Sequence, residues 1–216
     1  GFDIQNLNTE FIFSNDIIEL KNTNLIFIDS EINGDLFFNI SKFSKNNFSN
    51  IEDLDSANIK IEIYDSKIIP TNLNIINQNN SISNLDTWNL ELSIDGTIND
   101  FFINKFDLSS TKDFLTFSGN LSNFTNLNNN LSFEIEQLKI NSSSSTINSI
   151  FPNVFGSVIP SSIKNLGNFD FNGNISFNKS EIKSDFVLGV DNGIIKSSLN
   201  ILDFSNIDNS SYSGSV

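Results

Sequence analysis

The stretch FDFNGNISFN, which runs from Phe169 to Asn178, carries the pattern that decides the fold. Alternate side chains of an extended strand point to the same face. One face of this stretch is apolar except for a central glycine, and it comprises Phe169, Phe171, Gly173, Ile175 and Phe177. A glycine weakens the interior of a strand, so Gly173 predicts a bend, a bulge or a close approach of another backbone.

The same five-residue pattern, in which glycine is flanked at two positions on either side by an apolar residue, recurs along the chain. Its copies are centred on Gly34, Gly96, Gly119, Gly173 and Gly214. The glycine always lies on the apolar face, but the intervals between copies are unequal, unlike the fixed period of repeat arrays. The pattern therefore predicts one kind of strand that is used several times.

Alternation of apolar and polar residues is the dominant signal elsewhere. It predicts half-buried strands with one face toward water, as in antiparallel sheets. Asp191, Asn192 and Gly193 form a tight-turn signal between two such strands. The predicted apolar face comprises Ile32, Gly34, Leu36, Phe38, Ile40, Trp88, Leu90, Leu92, Ile94, Phe117, Gly119, Leu121, Phe169, Phe171, Gly173, Ile175 and Phe177.

Two stretches break the alternation. In the segment from Lys45 to Asn58, apolar residues recur at a spacing of three, which predicts a short helix or turn. The segment from Ile140 to Gly167 is rich in serine and predicts a long excursion with one or two short helical turns. We therefore expect one continuous β segment over residues 1–216, with loop excursions near 42–57 and 141–166, rather than two domains.

Composition excludes several classes of function. The chain has 26 acidic and 12 basic residues, so its net charge of -14 argues against binding to nucleic acid or to an anionic membrane surface. Cysteine and histidine are absent, which removes disulfides, the usual zinc and haem ligands, and Ser-His or Cys-His catalysis. No apolar run approaches the ~20 residues that span a bilayer.

The acidic residues suggest no catalytic or metal site. Glu52, Asp53 and Asp55 cluster in one segment, but they lack the ligand spacing of a calcium loop, and we interpret them as a solvated turn. Glu134 and Glu136 share the polar face of one strand, as a pair of catalytic carboxylates would, but a solubilising face explains them more simply. We therefore predict no enzymatic activity, no cofactor and no metal.

The order of these pieces resembles the TamB group of the AsmA-like proteins, in its Bacteroidetes-type form. Residues 11–41 (FIFSNDIIELKNTNLIFIDSEINGDLFFNIS) resemble the group's paired strands that end in the glycine pattern. Residues 90–124 resemble its next unit, and residues 159–201 resemble the part in which a proline-containing segment leads through Leu-Gly into a glycine strand and a hairpin. The similarity lies in order and rhythm and extends over nearly the whole chain.

This resemblance implies an all-β fold with a long, curved, mostly antiparallel sheet, shaped like a half-pipe around an apolar groove. It further implies a lipid-transfer segment that shields phospholipid acyl chains in the periplasm and supports outer-membrane biogenesis. It also implies an anchor in the inner membrane, through a segment not included in this chain. An outer-membrane β-barrel assembly protein is then expected as a partner of regions outside this chain. Since the chain starts at a glycine, we expect it to be an internal piece of a longer protein.

Two other readings are compatible with the pattern of residues. An Asn/Ser-rich structural or adhesive surface protein would bury the apolar face beneath a second sheet, as in a sandwich. A glycan-degrading enzyme on a β-scaffold would bring carboxylates together in a cleft. Whether the apolar face is open or covered separates the first of these from a lipid groove.

Overall fold

In the part of the chain that the structure describes, strands that are consecutive along the chain pair with each other. The computed structural model describes residues 4–14, 16–39, 55, 57–69, 87–126, 131–146, 167–203 and 210–216. In this part of the chain, twelve strands form one antiparallel sheet whose spatial order is the chain order. The strands are β1 (Ile4–Phe13), β2 (Ile17–Phe27), β3 (Ser30–Asn39), β4 (Asn58–Ile68), β5 (Trp88–Thr97), β6 (Phe101–Ser109), β7 (Phe114–Ser122), β8 (Ser132–Ser143), β9 (Asn168–Phe177), β10 (Glu181–Val190), β11 (Gly193–Leu202) and β12 (Ser211–Ser215).

The predicted fold class is confirmed. The sheet is open, because β1 and β12 do not pair with each other, and its form agrees with the expected curved, groove-like sheet. Helical structure in the described residues is short: a 3-10 helix spans Phe124–Asn126 and residues 144–146 are helical. Ser143 caps the latter, since its Oγ accepts the Thr146 N–H at 3.1 Å.

The segments predicted to interrupt the strands lie largely outside the described residues. Of the excursion expected near 141–166, residues 141–143 belong to β8, and residues 147–166 lie outside the described residues. The strand pairing of β8 with β9 extends that far and holds these residues in the ladder. The helix expected between Lys45 and Asn58 lies mostly outside the described residues, as does Ile40.

The pairing of opposed residues can be followed from one edge of the sheet to the other. Two rows of directly opposed residues each cross all twelve strands, and nearly all their members are apolar. The first row is Phe13, Ile18, Phe38, Ile59, Gly96, Phe101, Leu121, Phe133, Phe177, Ile182, Ile201 and Tyr212. The second is Phe11, Leu20, Leu36, Ile61, Ile94, Ile103, Gly119, Ile135, Ile175, Ser184, Leu199 and Gly214.

The glycines on this face lie where a neighbouring backbone approaches closely. A Cβ atom added to Gly34, Gly119, Gly173 or Gly214 would come within 3.0 Å of a carbonyl oxygen on the adjacent strand. At Gly119 that oxygen belongs to Glu134. The glycine pattern therefore records a close approach between backbones, one of the three explanations that the sequence left open.

β-bulges accompany these glycines. Asn22, Asp65 and Gln137 have positive φ angles of 49°, 46° and 52° and lie where β2, β4 and β8 carry an extra residue. Gly34 pairs with Thr23 and Ile63, which flank two of these bulges. Bulges increase the local twist and bend a strand, and glycines relieve the crowding that bending creates. Together they explain how so long a sheet can curve.

Candidate functional site: the apolar face

One face of the sheet is apolar along its whole length. We call it the apolar face and define it by the two rows above and by the residues that alternate with them along each strand. Because opposed residues in a ladder project to the same side, the register places these side chains on one surface. Further members include Leu25, Ile32, Ile63, Leu90, Leu92, Phe106, Leu108, Leu115, Phe117, Leu138, Ile140, Phe171, Phe186, Leu188 and Ile195.

Stacked phenylalanines connect neighbouring strands on this face. The ring centroids of Phe106 and Phe117 lie 4.7 Å apart, and those of Phe133 and Phe177 lie 5.2 Å apart. Phe171 stacks on Phe186 at 5.1 Å. Such pairs contribute about 0.5–1.5 kcal/mol beyond the burial of their area. The phenylalanines thus stabilise the ladder laterally while they line the surface.

The apolar face is only partly covered. Most of its side chains are half-buried, and the buried apolar residues of the described chain are Phe27, Ala57, Trp88 and Leu138. Toward the β1 edge the face is open, since Phe11 and Phe13 are 60% and 67% exposed. All the strands of the described residues belong to one sheet, so none of them forms a separate second sheet over this face.

The opposite face is mostly polar, although Phe102 and Ile194 are exposed on it, and it carries a local depression. Glu134, Asn174, Lys183 and Asp185 line a depression of about 430 Å³ beside the bulge at Gln137. The backbone N–H of Gln137 is satisfied there by Asn174 Oδ1 at 2.9 Å. Within the described residues, no cluster of acidic side chains could hold a metal ion. The depression therefore follows from the bulge and has the character of a solvated surface.

Two polar-face groups have shifted pKa values, and neither shift points to proton transfer. Partial burial and then the neighbouring Asp35 carboxylate raise the pKa of Tyr64. A hydrogen bond to Glu91 raises the pKa of Lys105. Both shifts move a pKa that already lies above 7 further upward. The tyrosine therefore stays uncharged and the lysine stays charged near pH 7.

The predicted site residues lie together on one face. Every one of them except Ile40, which is outside the described residues, belongs to β3, β5, β7 or β9. The register joins these strands through β4, β6 and β8, so the predicted positions are separated by further apolar residues on the same surface.

The sequence analysis missed the contribution of β6 to this face. Phe101 and Ile103 lie on the apolar face, but Phe106 and Leu108 follow with the opposite parity because a bulge intervenes. A break of one residue in an otherwise alternating run was the signal that could have revealed it. The bulge is what restores the second pair to the apolar side.

No helix in the described part of the chain is long and apolar enough to cross a membrane.

Comparisons with known proteins add no relative. No protein-family model matches the chain, and neither the search of curated proteins nor the search of solved structures found a match.

Proposed function

We propose that this chain is a segment of a lipid-transfer protein whose apolar face shields phospholipid acyl chains. The observation that carries the proposal is the continuity of the face: two register rows, apolar except for Ser184 and the hydroxyl of Tyr212, run from β1 to β12. The core of a compact protein does not require an apolar surface that continues across every strand. A lipid that moves along the sheet does require one.

Acyl chains match this surface energetically. Burying a methylene group is worth about 0.8 kcal/mol, so a sixteen-carbon chain gains roughly 13 kcal/mol when it leaves water. Covering the half-buried residues of the apolar face with an acyl chain is favourable for the same reason, because it removes their apolar surface from water. Because the apolar face offers many similar side chains and few polar anchors, a lipid can slide from strand to strand without crossing a large barrier.

The wider context of the proposal rests on the resemblance to the TamB group. It assigns the segment to the periplasm, in a protein anchored to the inner membrane through a part outside this chain, with a role in outer-membrane biogenesis. An outer-membrane β-barrel assembly protein is then the partner of regions beyond this segment. Nucleic acid, cofactors and catalysis have no part in the proposal.

An adhesive surface protein with a closed sandwich core is the competing function. It requires a second sheet against the apolar face, and the described strands provide none. It also requires that phospholipid has no access to Phe171 or Phe177.

Photo-crosslinking from the two faces tests the proposal. A photoreactive residue replaces Phe171 or Phe177 on the apolar face, or Asp170 or Ser176 on the polar face, and the chain is incubated with vesicles of phosphatidylethanolamine and phosphatidylglycerol. These neighbouring positions belong to one strand, so they differ mainly in the face that they occupy. We expect phospholipid adducts from the apolar positions alone. Equal capture from both faces, or none from either, contradicts the proposal.

A further inference from the structure

The two edges of the sheet differ in length and in apolar content. β1 has ten residues, whereas β12 has five, with the sequence SYSGS and one large side chain. Within the described residues, each of these two strands pairs with a single neighbour, so its outer edge is open there. An open edge is a template for another strand, and natural proteins limit this with short strands or with lysine and proline. β12 is short, but β1 is long and contains no lysine, arginine or proline.

The apolar side chains of β1 are exposed on the apolar face. Ile4 and Leu7 are each 57% exposed, in addition to the two phenylalanines of this strand. Leu20 and Leu36, which continue the row of Phe11 across the next two strands, are half-buried. Interior strands have a neighbour on both sides, and β1 has one. A further strand with apolar residues on the same face would therefore remove the exposed surface of β1 from water.

We propose that β1 pairs with β1 of a second copy of this chain, antiparallel and about a twofold axis perpendicular to the sheet. Such an axis reverses the direction of the strand and keeps both apolar faces on the same side, so the apolar face continues across the junction. A twofold interface is self-complementary and is the commonest form of oligomer. The β12 edge is the weaker partner, because it offers Tyr212 where a second β1 offers four large apolar side chains. This pairing is independent of the proposed lipid function.

The alternation of faces limits the register of the two β1 strands. From Asn6 to Phe13 the strand alternates regularly, because the extra residue at the irregularity beside Asn8 belongs to β2. Odd-numbered residues of this stretch lie on the apolar face, opposite Leu25, Leu20 and Ile18 of β2. Odd residues must therefore oppose odd residues if the two apolar faces are to join.

Charge and apolar contact select one register among these. Glu10 is the only charged residue of β1, and like charges directly opposite each other are destabilising. A register with Thr9 opposite Thr9 of the second copy places each Glu10 opposite Asn8 instead. It also places each Phe11 opposite Leu7, and opposed threonines are themselves a favourable pair. The twofold axis therefore passes between the two Thr9 residues.

Cysteine crosslinking tests this register, because the natural chain contains no cysteine. Directly opposed residues of antiparallel strands have Cα atoms about 4.5–5.5 Å apart, within the range of about 4.4–6.8 Å that a disulfide requires. We therefore expect Thr9→Cys to form a disulfide between two copies on mild oxidation. Asn6→Cys is the matched control. Its two cysteines are offset by six residues along the strands, roughly 20 Å, and we expect no crosslink.

A charge introduced on the polar face tests the register without oxidation. Asn8→Lys places a lysine opposite Glu10 of the second copy, and the twofold axis repeats this pair. We expect the dissociation constant of the dimer to fall by about two- to thirtyfold. Asn6→Lys changes the net charge by the same amount but opposes Ile12, so we expect no tightening.

Sedimentation equilibrium of the unaltered chain, without lipid, completes the test. We expect the mass to rise with concentration from that of one chain to that of two and no further. A chain that stays monomeric, or that grows beyond the dimer, overturns the proposal. Equal crosslinking by the two cysteine variants, or equal tightening by the two lysine variants, overturns it as well. Should Thr9→Cys fail to fold, the lysine variants and the unaltered chain decide.

Discussion

Replacing Gly119 with alanine tests the reason for the glycine pattern. The added Cβ atom would come within 3.0 Å of the Glu134 carbonyl oxygen and would lie 3.1 Å from the Ile135 Cα atom. Both are backbone atoms of a hydrogen-bonded neighbour, so β7 and β8 must move apart to accept it. Overpacking of this kind costs about 1–3 kcal/mol, and the entropy that alanine removes from the unfolded chain offsets only ~0.4–1 kcal/mol of it.

Gly189→Ala is the matched control. Gly189 also lies within a strand, but an added Cβ atom would be 3.8 Å from its nearest neighbours, which is ordinary van der Waals contact. We expect this variant to be slightly more stable than the wild type, by about 0.4–1 kcal/mol.

Thermal unfolding followed by circular dichroism measures both variants. For a chain of this size, 1 kcal/mol corresponds to a change in Tm of about 2–4 °C. We expect Gly119→Ala to unfold at a lower temperature than the wild type and Gly189→Ala to unfold at the same or a higher temperature. Equal stability of the two variants would refute the close approach of the backbones as the cause of the pattern.

Three further predictions concern the bulge and the sheet edge. Gln137→Gly should raise the free energy of unfolding by about 1 kcal/mol, because Gln137 has a φ angle of 52° that glycine adopts freely, and urea denaturation showing a loss of stability would contradict this. Asn174→Ala should lower that free energy by about 0.5–1.5 kcal/mol, since it removes the acceptor 2.9 Å from the Gln137 N–H; an unchanged midpoint would show that water replaces it fully. The chain should self-associate through the open edge of β1, and Leu7→Lys should reduce this association in light scattering, whereas Val187→Lys on β10, which is paired with both β9 and β11 at this position, should not. A wild-type chain that stays monomeric on concentration would contradict the edge prediction.

Local periodicity was sufficient to predict the strands around Gly34, Gly96, Gly119 and Gly173, because alternation over a few residues is a direct consequence of strand geometry. It also predicted that their apolar residues share a face. Register, by contrast, depends on which residues oppose each other across strands, and no local pattern contains that information. The two rows that cross the whole sheet emerged only from the pairing.

The bulges mark the limit of sequence reasoning here. An extra residue at Lys105 or Gln137 reverses the parity of the strand, so a single alternating template assigns half of β6 to the wrong face. Trp88 was predicted to lie on the apolar face, and it does, but its unpaired N–H depends on what surrounds the indole in three dimensions. The spacing of apolar residues along the sequence does not determine whether the indole nitrogen of Trp88 is buried.

Substitution of Phe171 by arginine tests most directly whether the apolar face is an open surface for lipid. Phe171 is half-buried and stacks on Phe186, while the neighbouring Asn172 is exposed on the polar face, so Asn172→Arg serves as the control. On an open face, arginine can extend its charged group toward water, and we expect a folded variant that no longer binds phospholipid from vesicles. The control should fold and bind lipid as the wild type does. If Phe171→Arg unfolds the chain, as an unpaired charge buried in a closed core would, or if it binds lipid unchanged, the account of an open lipid groove is wrong.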